Sequence, residues 1–204
     1  FQLIFSLVFQ GRNWFRLLEG ERGSSLPGKD VVYRFLNHSH FHWRRFLHSL
    51  SLKVIPFFES LTSASRIKVL IIDDSVISRN RSKKAELLAR VHDHTTGRFV
   101  RGYNMLTLGW SDGFSFAPID FVMLCSAKLA NRFCEMKDRL FKRSHGYKRR
   151  MEALTRKPDA VVSLLDHALA AGFSADFVLM DSWFTQAPLL RELMSKTFPL
   201  HEQV

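Results

Sequence analysis

At 204 residues, 46% of them apolar, the chain is long enough for one domain with a substantial core, or for one domain and a small accessory region. Lys and Arg number 30 against 19 Asp and Glu, a formal net charge of +11. That balance points to a polyanionic partner, most often nucleic acid, although an anionic membrane surface gives the same signal. No apolar run reaches the roughly 18 to 20 residues of a membrane span. Two cysteines, Cys125 and Cys134, at no metal-type spacing suggest a reducing compartment, the cytoplasm.

Residues 1–65 read as a helical accessory region, and residues 66–204 as the main domain. The apolar run from Phe1 to Phe9 has no basic flank before it and no small-residue cleavage site after it, so it reads as the middle of a helix. The chain opens on Phe rather than Met, so its natural start is expected upstream. The first helix should end near Gly20, with a turn at Leu26-Pro27-Gly28-Lys29. Asp30 then caps a helix through Leu36, and a further helix covers Trp43 to Leu50. Arg34, Arg44 and Arg45 lie beside aromatics there, either against DNA or as solvated neighbours of packed rings. His38, His40 and His42 alternate without the spacing of common zinc sites, and read as a turn and a helix start.

The next stretch, Val69-Leu70-Ile71-Ile72-Asp73-Asp74-Ser75, is an apolar run that ends in two carboxylates. It reads as a strand buried on both faces and delivering an acid at its end. A basic loop follows at Arg79-Asn80-Arg81-Ser82-Lys83-Lys84. Residues 89–94 and 98–110 are extended around a Thr95-Thr96-Gly97 turn, and a further strand lies within residues 114–124. Residues 131–147 look like an exposed basic excursion. Pro158 begins a helix whose Val161, Leu164, Leu165 and Leu169 share one face and which Gly172 ends. A second acidic strand, Phe177-Val178-Leu179-Met180-Asp181, and an amphipathic helix over 187–196 complete the order. Strand, strand, strand, helix, strand, helix lets the two acidic strands lie parallel and adjacent, so that their carboxylates meet. Acids so placed repel each other unless a hard cation such as Mg²⁺ or Mn²⁺ lies between them.

This order resembles the ribonuclease-H-like catalytic core, an α/β mixed sheet flanked by helices. More closely, it is similar to bacterial insertion-sequence transposases of the DDE type, in the family commonly numbered four. The resemblance is carried by residues 69–75, by Leu106-Thr107-Leu108-Gly109-Trp110-Ser111-Asp112-Gly113, by Gly146-Tyr147-Lys148-Arg149-Arg150 and by Val178-Leu179-Met180-Asp181-Ser182-Trp183-Phe184. Residues 27–37 add a likeness to that family's N-terminal region.

The resemblance implies metal-dependent DNA cleavage and strand transfer. Two Mg²⁺ or Mn²⁺ ions about 3.5–4 Å apart would be held by two Asp and one Glu. By position the catalytic and metal-binding acids are Asp74 and Asp181, with Asp73 as runner-up for the first; strand alternation lets only one of the adjacent pair reach the metal. The resemblance further implies DNA partners (transposon ends and target), a homodimer in a synaptic complex, and a cytoplasmic, nucleoid-associated location without a membrane.

The family's glutamate follows a further strand. Tyr147, Arg150 and Glu152 superficially resemble its signature but precede Asp181, Glu192 lies too near Asp181, and Glu202 falls in an unrelated tail. The chain therefore reads as a truncated core without its third carboxylate, with cleavage expected to be lost. Arg79, Arg81, Lys83, Lys84, Lys148, Arg149 and Arg150 are candidates for phosphate contacts. Trp183 and Phe184 could stack on an unpaired base, but core positions are the commoner role. Two other readings remain: a non-catalytic DNA-binding fragment, and a phosphoacceptor receiver-like domain, which would need strands alternating with helices.

Overall fold

The computed structural model describes residues 13–20, 26–63, 65–137, 139–184 and 186–195. The run Phe1–Phe9 and the tail with Glu202 lie outside them. The chain forms two compact units, Phe1–Phe41 and His42–Val204.

In the first unit, α1 (Trp14–Leu18) is capped by Asn13, whose side chain accepts a hydrogen bond from the Arg16 N–H. Helix α2 (Lys29–Leu36) starts after Gly28, which offers no side-chain cap. Asp30, expected as the cap, instead lies in the first turn, where its charge complements the helix dipole. Trp14 and Val32 are the buried residues of these helices.

The second unit opens with α3 (Trp43–Ser60), which runs ten residues beyond the expected end and passes through Pro56. The sequence reading placed this helix in the accessory region, but its buried positions His48, Ser51 and Ile55 commit it to the sheet domain. The Ser51 hydroxyl lies 2.6 Å from the Pro118 carbonyl. Helix contacts of this kind outweigh the missing amide of a proline.

The strands are β1 (Val69–Ser78), β2 (Ala89–Asp93), β3 (Arg98–Ser111), β4 (Phe116–Leu124) and β5 (Phe177–Met180). Helices α4 (His145–Glu152), α5 (Lys157–Ala171) and α6 (Ala187–Ser195) complete the unit. The five strands make one mixed sheet, the ribonuclease-H-like arrangement. β3 lies antiparallel to β1 on one side; its other edge pairs with β2 over Arg98 to Gly102 and with β4 over Asn104 to Ser111. β5 lies parallel to β1 on β1's far side.

Alternation along the strands sends Leu70, Ile72, Leu106, Leu108, Trp110, Ile119 and Val122 into a core closed by Val161, Leu164 and Leu165 of α5. Gly172, at φ 96°, takes the left-handed conformation that ends α5. A bulge between Leu108 and Gly109 shifts the β4 register, and both Ile119 and Asp120 are buried beside it.

Two expectations about the acidic strands are corrected. Both runs were read as buried on two faces, yet Phe177 and Leu179 are 55% and 51% exposed, so among the described residues only the α5 face is well covered. β1 also does not stop at its acids but continues to Ser78, because the long β3 pairs with it as far as Gly102. A Cβ on Gly102 would run into the Ile77 carbonyl, so the close approach there requires glycine. No described helix is long and apolar enough to cross a membrane.

Candidate active site

The β1–β5 ladder pairs Leu70 with Val178 and Ile72 with Met180. One further step in the same register sets Asp73 beside Asp181, at the point where β5 ends and the edge of β1 opens. Leu70, Ile72 and Asp74 share the α5 face by alternation, and Asp73 lies on the opposite face. Asp73 and Asp181 are both exposed. The Ser182 hydroxyl donates to Asp181 Oδ1 at 2.9 Å, and the Thr107 hydroxyl donates to the Asp73 backbone carbonyl at 3.1 Å.

Asp74 has different surroundings. Its Oδ2 accepts hydrogen bonds from Lys157 Nζ at 2.8 Å and from Asn104 Nδ2 at 2.6 Å. Burial pushes its pKa up, but the hydrogen bonds from Lys157 and Asn104, with the charges of Lys157 and His94, outweigh that and hold it below the ordinary value. Lys157 opens α5 and also lies 5.4 Å from the centroid of the Phe184 ring. Phe184 is buried, a core residue rather than a base platform. One lysine thus joins the start of α5, the second acid of β1 and the turn that follows Asp181.

Exposed carboxylate oxygens suit Mg²⁺ or Mn²⁺, which keep several waters and need few protein ligands. Asp73 and Asp181 fit that donor chemistry. Among the described residues no three His, Cys, Asp or Glu side chains gather as a metal site.

The sequence-predicted cations separate into two sets. Arg79, Arg81, Lys83, Lys84 and Lys148 are exposed. Arg149 is held internally, donating to Phe121 O at 2.7 Å and Glu152 Oε2 at 3.0 Å. Arg150 pairs with Glu86 and donates to Gly146 O at 2.9 Å. Neither is a free cation on the surface. Helix α4 is therefore fastened to the domain by the residues that looked most like a phosphate-binding run.

The sequence reading missed the centre of that fastening. Asp120, 1% exposed on its side chain, lies 2.5 Å from Arg44, which in turn is 2.6 Å from Glu152. Burial pushes the Asp120 pKa up; the hydrogen bond from His48 and the charge of Arg44 overcome it and hold the group ionised below the usual range. An acid inside an apolar strand is the signal that was available, because a buried carboxylate requires a partner. Arg44 is consequently not a DNA contact, whereas Arg45 is exposed. His42 caps α3, its Nδ1 accepting from the Arg45 N–H, and its ring lies 4.0 Å from that of His145. This agrees with reading that histidine run as a helix start.

The sequence model of the family described as DDE superfamily endonuclease matches residues 25–200. No curated protein and no solved structure matches the chain.

Proposed function

Because the chain belongs to the DDE superfamily endonuclease family, we propose that its sheet domain cleaves DNA phosphodiesters with divalent metal, as part of transposition by an insertion-sequence element. The observation that carries this reading is the parallel register of β1 and β5, which brings an acid from each strand to one open edge. Asp181 and an acid of β1 would hold Mg²⁺ or Mn²⁺, which when bound supplies charge stabilisation and an activated water or 3′-hydroxyl.

Of the two β1 acids, sequence position favours Asp74. The register favours Asp73, which follows Ile72 just as Asp181 follows Met180. We assign the metal to Asp73 and Asp181, and to Asp74 the work of holding Lys157 and Asn104. The exposed Arg79, Arg81, Lys83, Lys84 and Lys148 draw the DNA backbone to the domain through its phosphates. A homodimer that pairs two transposon ends belongs to the same proposal.

The test is Mn²⁺ binding followed by electron paramagnetic resonance, with supercoiled-DNA nicking in parallel, on the chain and on Asp73→Asn, Asp74→Asn and Asp181→Asn. Loss of Mn²⁺ binding in the Asp73 and Asp181 variants, with Asp74→Asn near the parent, is the expected pattern. Loss in Asp74→Asn and not Asp73→Asn would restore Asp74 as the ligand. Mn²⁺ binding unchanged in all three would refute the site.

A further inference from the structure

The β2–β3 hairpin carries a row of cations and rings that neither the acids nor the sequence-predicted basic loop accounts for. In its register Arg90 pairs with Arg101, and His92 with Phe99, so all four share one face of the hairpin. The Arg90 guanidinium lies 4.0 Å from the centroid of the Phe99 ring, and that of Arg101 lies 4.4 Å from the ring of Phe133. His92 continues the row, with its ring 5.0 Å from that of Phe99. Phe99 and Phe133 are 58% and 47% exposed.

Two like charges directly opposite each other weaken a strand pair. Here nothing offsets them, since among the described residues no carboxylate lies within ion-pair distance of Arg90 or Arg101. Asp93 is turned to the hairpin loop, where it accepts from the Thr95 N–H and the Thr96 hydroxyl. The stacked rings hold the guanidiniums at the surface with their N–H edges unsatisfied by protein, an arrangement suited to the oxygens of an external anion.

The row also joins the basic loop. The backbone N–H of Arg79 donates to Arg101 O at 2.7 Å, the Asn80 side chain accepts from the Arg101 N–H at 2.9 Å, and the Cys134 thiol reaches Lys83 O at 3.2 Å. These bonds lock the loop after β1 against the hairpin and the segment bearing Phe133. Hairpin and loop therefore form one continuous cationic surface with two kinds of cation, stacked arginines and exposed loop side chains.

We propose that the Arg90/Arg101 face of the β2–β3 hairpin is a contact surface for the phosphate backbone of duplex DNA. It rests on DNA as the substrate and adds a surface remote in sequence from the acids. Planar guanidiniums held side by side match neighbouring phosphates, and the rings beneath them keep the pair in place without reading base sequence.

The experiment measures fluorescence anisotropy of a labelled duplex against NaCl, using the chain, Arg90→Gln/Arg101→Gln, Arg90→Lys/Arg101→Lys and the loop variant Arg81→Gln/Lys84→Gln. Each lost phosphate contact removes about 0.9 from the slope of log affinity against log salt, so the Gln pair should flatten it by about 2. The Lys pair keeps the charge and should retain most of the slope; it also serves if the Gln pair folds poorly. Thermal melting should leave the Gln pair at or above the parent, because a repulsion has been removed. A parent-like slope in the Gln pair, with a reduced slope in the loop variant, would sink the hairpin proposal and leave the DNA reading intact. No salt-dependent duplex binding by the parent, or binding to anionic phosphatidylserine vesicles in its place, would overturn both.

Discussion

Replacing Arg44 with Met removes the cation that lies between two buried carboxylates, while leaving a side chain that fills much of the same space. Arg44 is 12% exposed, Asp120 1% and Glu152 14%, so water cannot take over the lost charge. Breaking a buried pair from one side costs about 3–5 kcal/mol. Arg149 remains 3.0 Å from Glu152 and 3.8 Å from Asp120, which places the expected loss near the lower end, about 3 kcal/mol. In a unit of this size that lowers the Tm by about 6–12 °C.

The pH dependence has a definite sign. Asp120 is held below its ordinary pKa in the parent, so its contribution is present above the unfolded value of about 4 and is lost as pH falls through the folded value. Without Arg44, burial dominates and the carboxyl takes up a proton at higher pH, so acid unfolding should begin earlier. Urea unfolding followed by circular dichroism, repeated over pH, measures both effects. The double variant Arg44→Met/Asp120→Leu should cost less than Arg44→Met alone, because it leaves Arg149 and Glu152 as a balanced pair. A single-variant loss below about 1 kcal/mol, or a double variant worse than the single, would refute the view that Arg44 is the counter-ion on which this cluster depends.

Gly172→Ala places a side chain at φ 96° at the end of α5 and should cost about 1 kcal/mol in the same urea assay. Lys157→Met removes a partly exposed ion pair with Asp74, worth at most about 1 kcal/mol. Because the Asp74 pKa is depressed, that difference from the parent is present above about pH 4 and should vanish as pH falls through the folded value; a difference that grows in acid would contradict the assignment. Arg150→Ala should lower stability through the lost Glu86 pair without changing the salt slope of duplex binding, and Arg81→Ala should do the reverse. Anisotropy and thermal melting on the same two proteins decide between them.

Much of the sheet domain was legible because local signals agreed with one another. Two apolar runs ending in acids gave β1 and β5, Thr95-Thr96-Gly97 gave the turn between β2 and β3, and Pro158, Leu164, Leu165 and Gly172 bounded and oriented α5. The extent of α3 was not legible. Pro56 looks like a stop, and only the packing of His48, Ser51 and Ile55 explains a helix that continues past it. Nor could a period of two say which of Asp73 and Asp74 faces Asp181. That depends on how β1 and β5 slide past one another, a long-range fact that Ile72 opposite Met180 supplies and neither run contains alone.

The same limit governs the charges, and here it changes which residues meet DNA. Arg149 and Arg150 are adjacent in a basic run and look like surface cations, yet Glu152, Asp120 and Glu86 engage them. Arg44 finds Glu152 at a separation of 108 residues. Arg90 and Arg101 look unremarkable in sequence, eleven positions apart and each beside ordinary strand residues, and antiparallel pairing sets them face to face with no acid between them. Net charge counts both kinds alike. The distinction lies in the partner: an arginine that has found a carboxylate holds the fold together, and one pressed against another arginine carries a repulsion that an external phosphate would relieve. The surface that meets DNA is therefore identified better by cations the fold leaves opposed than by the densest basic stretch of the chain.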